Sequence, residues 1–197
     1  MIRKQVIQAG LGVLILAVLF AFGCVTPKDP GSDNVTSTGT VLRVTNIDAK
    51  DGATGNNTTD VVIHLCPSGK LEKLLYDVAM DVTLVNDSPA SGSSQSTTVT
   101  ITSYTVQYIS NEPGSVPLAP ERVVTQTIVI NPGASQARSG LLLMSVETKF
   151  EFIQRGGDPL VFPTYQAKVT FYGVNEFGYT VKAVASTYLE VGDWDTC

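Results

Sequence analysis

Apolar and polar residues alternate with a period of two through much of the chain after residue 40. In 77–85, DVAMDVTLV, Val78, Met80, Val82 and Leu84 fall on one face, and Ala79, Asp81 and Thr83 on the other. In 165–173, Tyr165, Ala167, Val169 and Phe171 alternate with Gln166, Lys168, Thr170 and Tyr172. In 179–191, Tyr179, Val181, Ala183, Ala185, Leu189 and Val191 share a face. Such alternation marks half-buried strands and suits antiparallel sheets, which bury one side and wet the other. Further strands are predicted over 40–47, 60–65, 97–110, 122–131 and 141–153. The last pattern, Leu142, Met144, Val146, Phe150 and Phe152 against Ser145, Glu147, Lys149 and Glu151, favours a strand over a helix. Around Ser103 the apolar face switches from Val99 and Ile101 to Tyr104, Val106 and Tyr108, which predicts a β-bulge or a change of partner.

Turn signals separate these runs. Among them are Asp51-Gly52, Asn131-Pro132-Gly133, Gly156-Gly157-Asp158-Pro159 and Asn175-Glu176-Phe177-Gly178, the last joining two strong strands as a hairpin. Seven or eight strands at this spacing, with no long helical period, predict an all-β fold: one antiparallel β-sandwich over residues 40–197.

The start of the chain reads differently. Arg3 and Lys4 precede an uncharged apolar run from Ala9 to Gly23, the pattern of an export signal. Ala9–Val25 only reaches the lower limit of about 17 residues for a spanning helix. Either reading leaves the bulk of the chain outside the cytoplasm. Residues 25–39, VTPKDPGSDNVTSTG, have almost no large apolar side chains and read as a flexible tether.

The stretch Ala21-Phe22-Gly23-Cys24 resembles the lipobox of bacterial lipoproteins. The resemblance implies a diacylglyceryl group on the Cys24 sulfur, cleavage after Gly23 and acylation of the new N-terminus. The domains are then 1–23 signal peptide, 24–39 lipidated cysteine and tether, and 40–197 sandwich. The competing reading is an uncleaved helix with an incidental cysteine. Several acyl chains hold a protein stably on a bilayer, whereas one is marginal. Val25 stands where lipoproteins kept at the inner membrane commonly carry Asp, so the resemblance favours the outer membrane of the cell envelope, if there is one.

Charge narrows the partners. The net charge is −5; losing Arg3 and Lys4 takes it to −7, since 11 basic residues then face 18 acidic ones. An acidic domain without a Lys/Arg cluster argues against nucleic acid, and against docking on anionic lipid by electrostatics. Of three cysteines, Cys66 and Cys197 are left if Cys24 carries lipid. Oxidising conditions favour their pairing, and a Cys66–Cys197 bridge would pin the last strand. The alternative is two separate thiols.

Catalytic motifs are missing. His64, the only histidine, sits in Val61-Val62-Ile63-His64-Leu65, and no G-x-S-x-G, H-E-x-x-H or P-loop occurs. No catalytic residue and no cofactor is expected. Asp48, Asp51, Asn56, Asn57 and Asp60 crowd what reads as the loop after the first strand, which makes Asp48, Asp51 and Asp60 weak calcium candidates without EF-hand spacing. Ordinary turn chemistry explains the same residues. In the loop 111–121, NEPGSVPLAPE, three prolines restrict the chain, so an exposed Val116 or Leu118 would lose little entropy against a protein partner. The alternative is a loop packed on its own sheet.

Tyr104-Thr105-Val106-Gln107-Tyr108 resembles the central strand of fibronectin type III domains, and implies an immunoglobulin-like sandwich in the broad sense. The early core tryptophan of that family is replaced by a single, late Trp194. The expected function is non-enzymatic: a lipid-anchored extracytoplasmic structural or protein-binding module. The runner-up is a small-ligand or carbohydrate binder, calcium-assisted or not.

Overall fold

A computed structural model describes residues 40–51, 54–63, 75–89 and 96–194. Residues 1–39, with Cys24, and also His64, Cys66 and Cys197, lie outside the described residues, as do the readings that depend on them.

The described residues form nine strands and one helix. In chain order these are β1 (Leu42–Asp51), β2 (Gly55–Asn56), β3 (Thr58–Asp60), β4 (Val78–Asn86), β5 (Val99–Ile109), β6 (Glu121–Ile130), β7 (Ser135–Met144), α1 (Val146–Gln154), β8 (Thr164–Asn175) and β9 (Thr180–Gly192). A four-stranded sheet runs β2-β1-β4-β7, and a five-stranded sheet runs β3-β9-β8-β5-β6. Both sheets contribute to one apolar core: Val78, Met80, Val82 and Leu84 from β4, and Val106, Val169, Phe171 and Val181 from the larger sheet. The inward faces are those that the alternation marks, because each strand turns every second side chain the same way; Tyr179, assigned by its spacing to the inner face of 179–191, instead precedes β9 in the hairpin turn and is exposed.

One pair departs from the antiparallel expectation. β3 runs parallel to β9, with Thr59 opposite Val191. β3 therefore covers the edge of β9 over its final three residues, Glu190 to Gly192. The expected strand 60–65 shortens to Thr58–Asp60, and Val61 continues as irregular chain whose N–H donates to the Gly192 carbonyl at 3.0 Å.

The phase switch at Ser103 is a register shift between Ile101 and Ser103 against both neighbours of β5. Gly173 makes it possible on the β8 side: a Cβ there would lie 2.3 Å from the Thr100 carbonyl oxygen. The hairpin after β8 closes through Asn175, whose side-chain oxygen accepts from the Phe177 and Tyr179 N–H groups at 3.1 and 3.0 Å. Gly178 takes φ +80, which that turn requires and a side chain would resist.

The strand expected over 141–153 is a correction. β7 stops at Met144, and α1 follows from Val146. Ser145 is its N-cap, accepting from the Thr148 N–H at 3.2 Å, and Glu147 lies in the first turn. The C-terminus ends in a Schellman arrangement, Gly157 N–H to Phe152 O at 2.9 Å and Gly156 N–H to Ile153 O at 3.0 Å. Thr148, Lys149 and Phe152 point inward, a spacing of one and three that belongs to a helix face.

Candidate functional site

The sandwich has two chemically distinct ends. At one, which holds the first described residue Thr40, the strand termini of β4, β5, β6 and β8 meet around buried polar side chains. The Asn86 amide donates to the Thr97 carbonyl at 2.7 Å and the Ile130 carbonyl at 3.1 Å. Its oxygen accepts from the Ser88 hydroxyl at 2.6 Å and the Ser88 N–H at 3.1 Å. The Thr40 and Thr97 hydroxyls share a hydrogen bond at 2.7 Å, and the Asn175 amide donates to the Thr40 hydroxyl at 3.3 Å. Beside this network the hairpin exposes Phe177 and Tyr179, and the outer face of the larger sheet exposes Val129, Val174, Val124 and Tyr172. Midway along the same face a surface hollow of about 390 Å³ is lined by Ser103, Thr105, Arg122, Val124 and Tyr172 among others.

At the far end, charge replaces amides. The Lys149 ammonium of α1 lies 2.9 Å from the Asp51 carboxylate, and both side chains are 1% exposed. The Thr59 hydroxyl donates to the same carboxylate, tying β1, β3 and α1 together. Glu121 receives the Ser145 N–H at 3.0 Å, the Ser145 hydroxyl at 2.6 Å and the Thr148 hydroxyl at 2.5 Å, so a carboxylate from β6 sits on the helix N-terminus. From β5, the Tyr104 and Tyr108 hydroxyls donate to the Leu142 and Leu143 carbonyls at 2.8 and 2.6 Å and bind the sheets across the core. Burial pushes the Tyr104 hydroxyl up to about 12, and the Glu121 charge adds to the shift. Burial raises Tyr108 further still, again with Glu121 adding.

The proline loop belongs to this end. The Tyr165 hydroxyl donates to the Val116 carbonyl and accepts from the Val116 N–H, both at 2.8 Å. Val116 and Leu118 are half-buried and pack on the domain's own core. A hollow of about 220 Å³ lies between this loop and Tyr108, Ile109 and Tyr165. The exposed apolar side chains here are others: Leu160, 72% exposed, with Val161, Phe150 and Ile153.

The weak calcium candidates do not converge. β1 extends to Asp51, so Asp48 and Asp51 are strand residues rather than loop residues. Asp48 accepts from the Asn46 amide at 2.6 Å, Asp51 is buried against Lys149 and Thr59, and Asp60 accepts from the Val62 N–H at 3.0 Å. Among the described residues no three His, Cys, Asp or Glu side chains form a group that could hold a metal ion. Sequence reasoning missed Lys149, Glu121 and the tyrosine hydroxyls. Only α1 carried a local signal, a Ser before an acidic first turn and a Gly-Gly stop. No family model matches the chain, and no curated protein matches it.

Proposed function

We propose that this chain is a non-enzymatic, lipid-anchored module of the bacterial cell envelope. In this reading it is held on its membrane through Cys24 and contacts a protein partner with the end of the sandwich far from the anchor. The observation that carries the reading is the placement of Thr40. The anchoring segment joins the domain at one end, while Leu160, Val161, Phe150 and Ile153 are exposed at the other. Exposed apolar side chains on a rigid frame are the usual material of protein contacts. Strand order supports an immunoglobulin-like topology: β1-β4-β7 corresponds to strands A, B and E, and β9-β8-β5-β6 to G, F, C and C′. The fold itself dictates no function.

Three measurements test this reading. Metabolic labelling with a fatty acid should mark the wild type and fail on Cys24→Ala; equal labelling would sink the lipid anchor. Crosslinking in native membranes followed by mass spectrometry should capture a protein through residues 150–161, and Leu160→Asp should abolish that capture. Thiol labelling of the unreduced, unfolded protein should find Cys66 and Cys197 blocked; two free thiols would show that no bridge forms.

A further inference from the structure

We infer that the β8–β9 hairpin tip and the adjoining end of the larger sheet's outer face rest in the interfacial region of the phospholipid bilayer that anchors the chain. The inference rests on the reading that the N-terminal segment is held at a membrane. Its occupant is the bilayer surface, and its driving force is apolar and aromatic insertion rather than charge.

Thr40 is hydrogen-bonded to Thr97 at 2.7 Å and to Asn175 at 3.3 Å, so the segment from Cys24 enters the domain beside the hairpin. Residues 24–39 reach at most about 55 Å when fully extended, and a coil of that length averages about 22 Å. A surface held that close to a bilayer meets it at an effective concentration on the order of millimolar, so a weak intrinsic affinity suffices.

What the domain presents there suits an interface. Phe177 is 59% exposed and Tyr179 48%. Val174 and Val129 lie in one row across the sheet, both opposite Thr100, and Tyr172 and Val124 lie in the next, both opposite Ser103. Val124 is 88% exposed. Phe and Tyr on a structured tip are the side chains that settle at the headgroup level. The tip is also pre-ordered: the Asn175 side chain holds the N–H groups of Phe177 and Tyr179, so little conformational freedom is lost on insertion. Lys182 lies opposite Tyr172 in the same row, where its ammonium can reach phosphate. Glu176 is exposed at the tip, which makes zwitterionic lipid the appropriate probe.

The test uses the full-length membrane-bound protein, reconstituted in phosphatidylcholine vesicles that contain a phosphatidylcholine with a diazirine in its acyl chain. After photolysis, peptide mass spectrometry should find lipid adducts in 172–182 and 123–130, with residues 158–164 of the far end unmarked. The double variant Phe177→Ser/Tyr179→Ser should lose the hairpin adducts, and Val129→Lys, which leaves the hairpin intact, should lose those in 123–130. Leu160→Ser should leave the pattern unchanged. Far-UV circular dichroism checks that each variant folds. Adducts confined to residues 24–39, adducts equal at both ends, or a tip shielded by a second copy or by another protein would each overturn the docking. The intact mass of the same sample separates the two readings. Acylated protein without tip adducts refutes only the docking; tip adducts on a chain without acyl groups refute only the lipid anchor. Protein that does not fractionate with the vesicles refutes both.

Discussion

Asn86, Ser88, Thr97, Thr40 and Asn175 close one end of the sandwich with neutral hydrogen bonds, and Lys149 and Asp51 close the other with a buried charge pair. Neutral amides and hydroxyls lose modest hydration when buried, and each regains it from a well-placed partner. A buried ammonium and carboxylate lose far more, and their mutual contact is the main offset, with the Thr59 hydroxyl adding a hydrogen bond to the carboxylate. The two ends should therefore respond differently to the loss of one group. The amide network should fail in part and locally. The charge pair should fail as a whole, because whichever ion is left has no water to return to.

Removing one ion is the largest expected effect. Residues 40–197 should fold alone as a soluble, strand-rich domain, visible in far-UV circular dichroism; a helical spectrum would refute the sandwich. In that domain Lys149→Met should cost about 3–5 kcal/mol by urea unfolding, since the buried Asp51 carboxylate loses the ammonium that faces it. The double variant Asp51→Leu/Lys149→Met should recover much of the loss. A single-variant cost below about 1 kcal/mol would mean that water reaches the pair, and the contrast between the ends would collapse.

The amide end should yield less. Asn86→Leu leaves the Thr97 and Ile130 carbonyls and the Ser88 donors without their amide partner. A buried group left unsatisfied costs about 1–3 kcal/mol, and some relaxation toward solvent is available at a strand end. Hydrogen exchange should accelerate at residues 97–99 and 130–134 while Leu143 and Met144 keep their protection. Faster exchange throughout would show that the ends do not act separately.

These two ends were unequally legible in the sequence. The alternation of Val78 to Leu84 displays the core face of β4 without any structure, because one strand carries its whole pattern in nine consecutive residues. The bulge at Ser103 was legible for the same reason, and so was the hairpin at Asn175. Lys149 was not, because its partner lies 98 residues away and nothing local marks a lysine as buried. Asp51 read as a loop carboxylate because β1 loses its alternation where the register shifts between Val44 and Asn46. Residues 146–152 satisfied two periods at once: Phe150 and Phe152 alternate, yet Thr148, Lys149 and Phe152 also share a helix face. Tertiary contacts with Glu121 and Asp51 decide in favour of the helix, and neither is visible from that segment alone.

Alkaline titration sharpens the comparison through the tyrosines that tie the far end. The Tyr104 hydroxyl ionises near 10 in the unfolded chain and at about 12 in the fold. Below pH 10 it is protonated in both states and its contribution to stability is complete. Between 10 and about 12 the unfolded chain releases a proton that the folded one keeps, so stability falls as pH rises through that window. Tyr104→Phe should make the decline shallower. Phenolate absorbance of folded protein should show Tyr104 and Tyr108 ionising only well above pH 10; ionisation of both near pH 10 in folded protein would mean that the cross-core hydroxyls are wet.

The smallest effect concerns the helix start. Ser145→Ala removes the acceptor for the Thr148 N–H and a donor to Glu121, and should cost about 1 kcal/mol. Aspartate is ordinarily as good an N-cap as serine, and its charge suits a helix N-terminus. Here that position already faces the Glu121 carboxylate, which accepts both the Ser145 N–H and its hydroxyl. Ser145→Asp would set two carboxylates against each other with no proton between them. It should therefore be worse than Ser145→Ala at pH 7 and should improve relative to it as acid protonates one of the pair. An Asp variant as stable as wild type at neutral pH would show that Glu121 does not hold the cap.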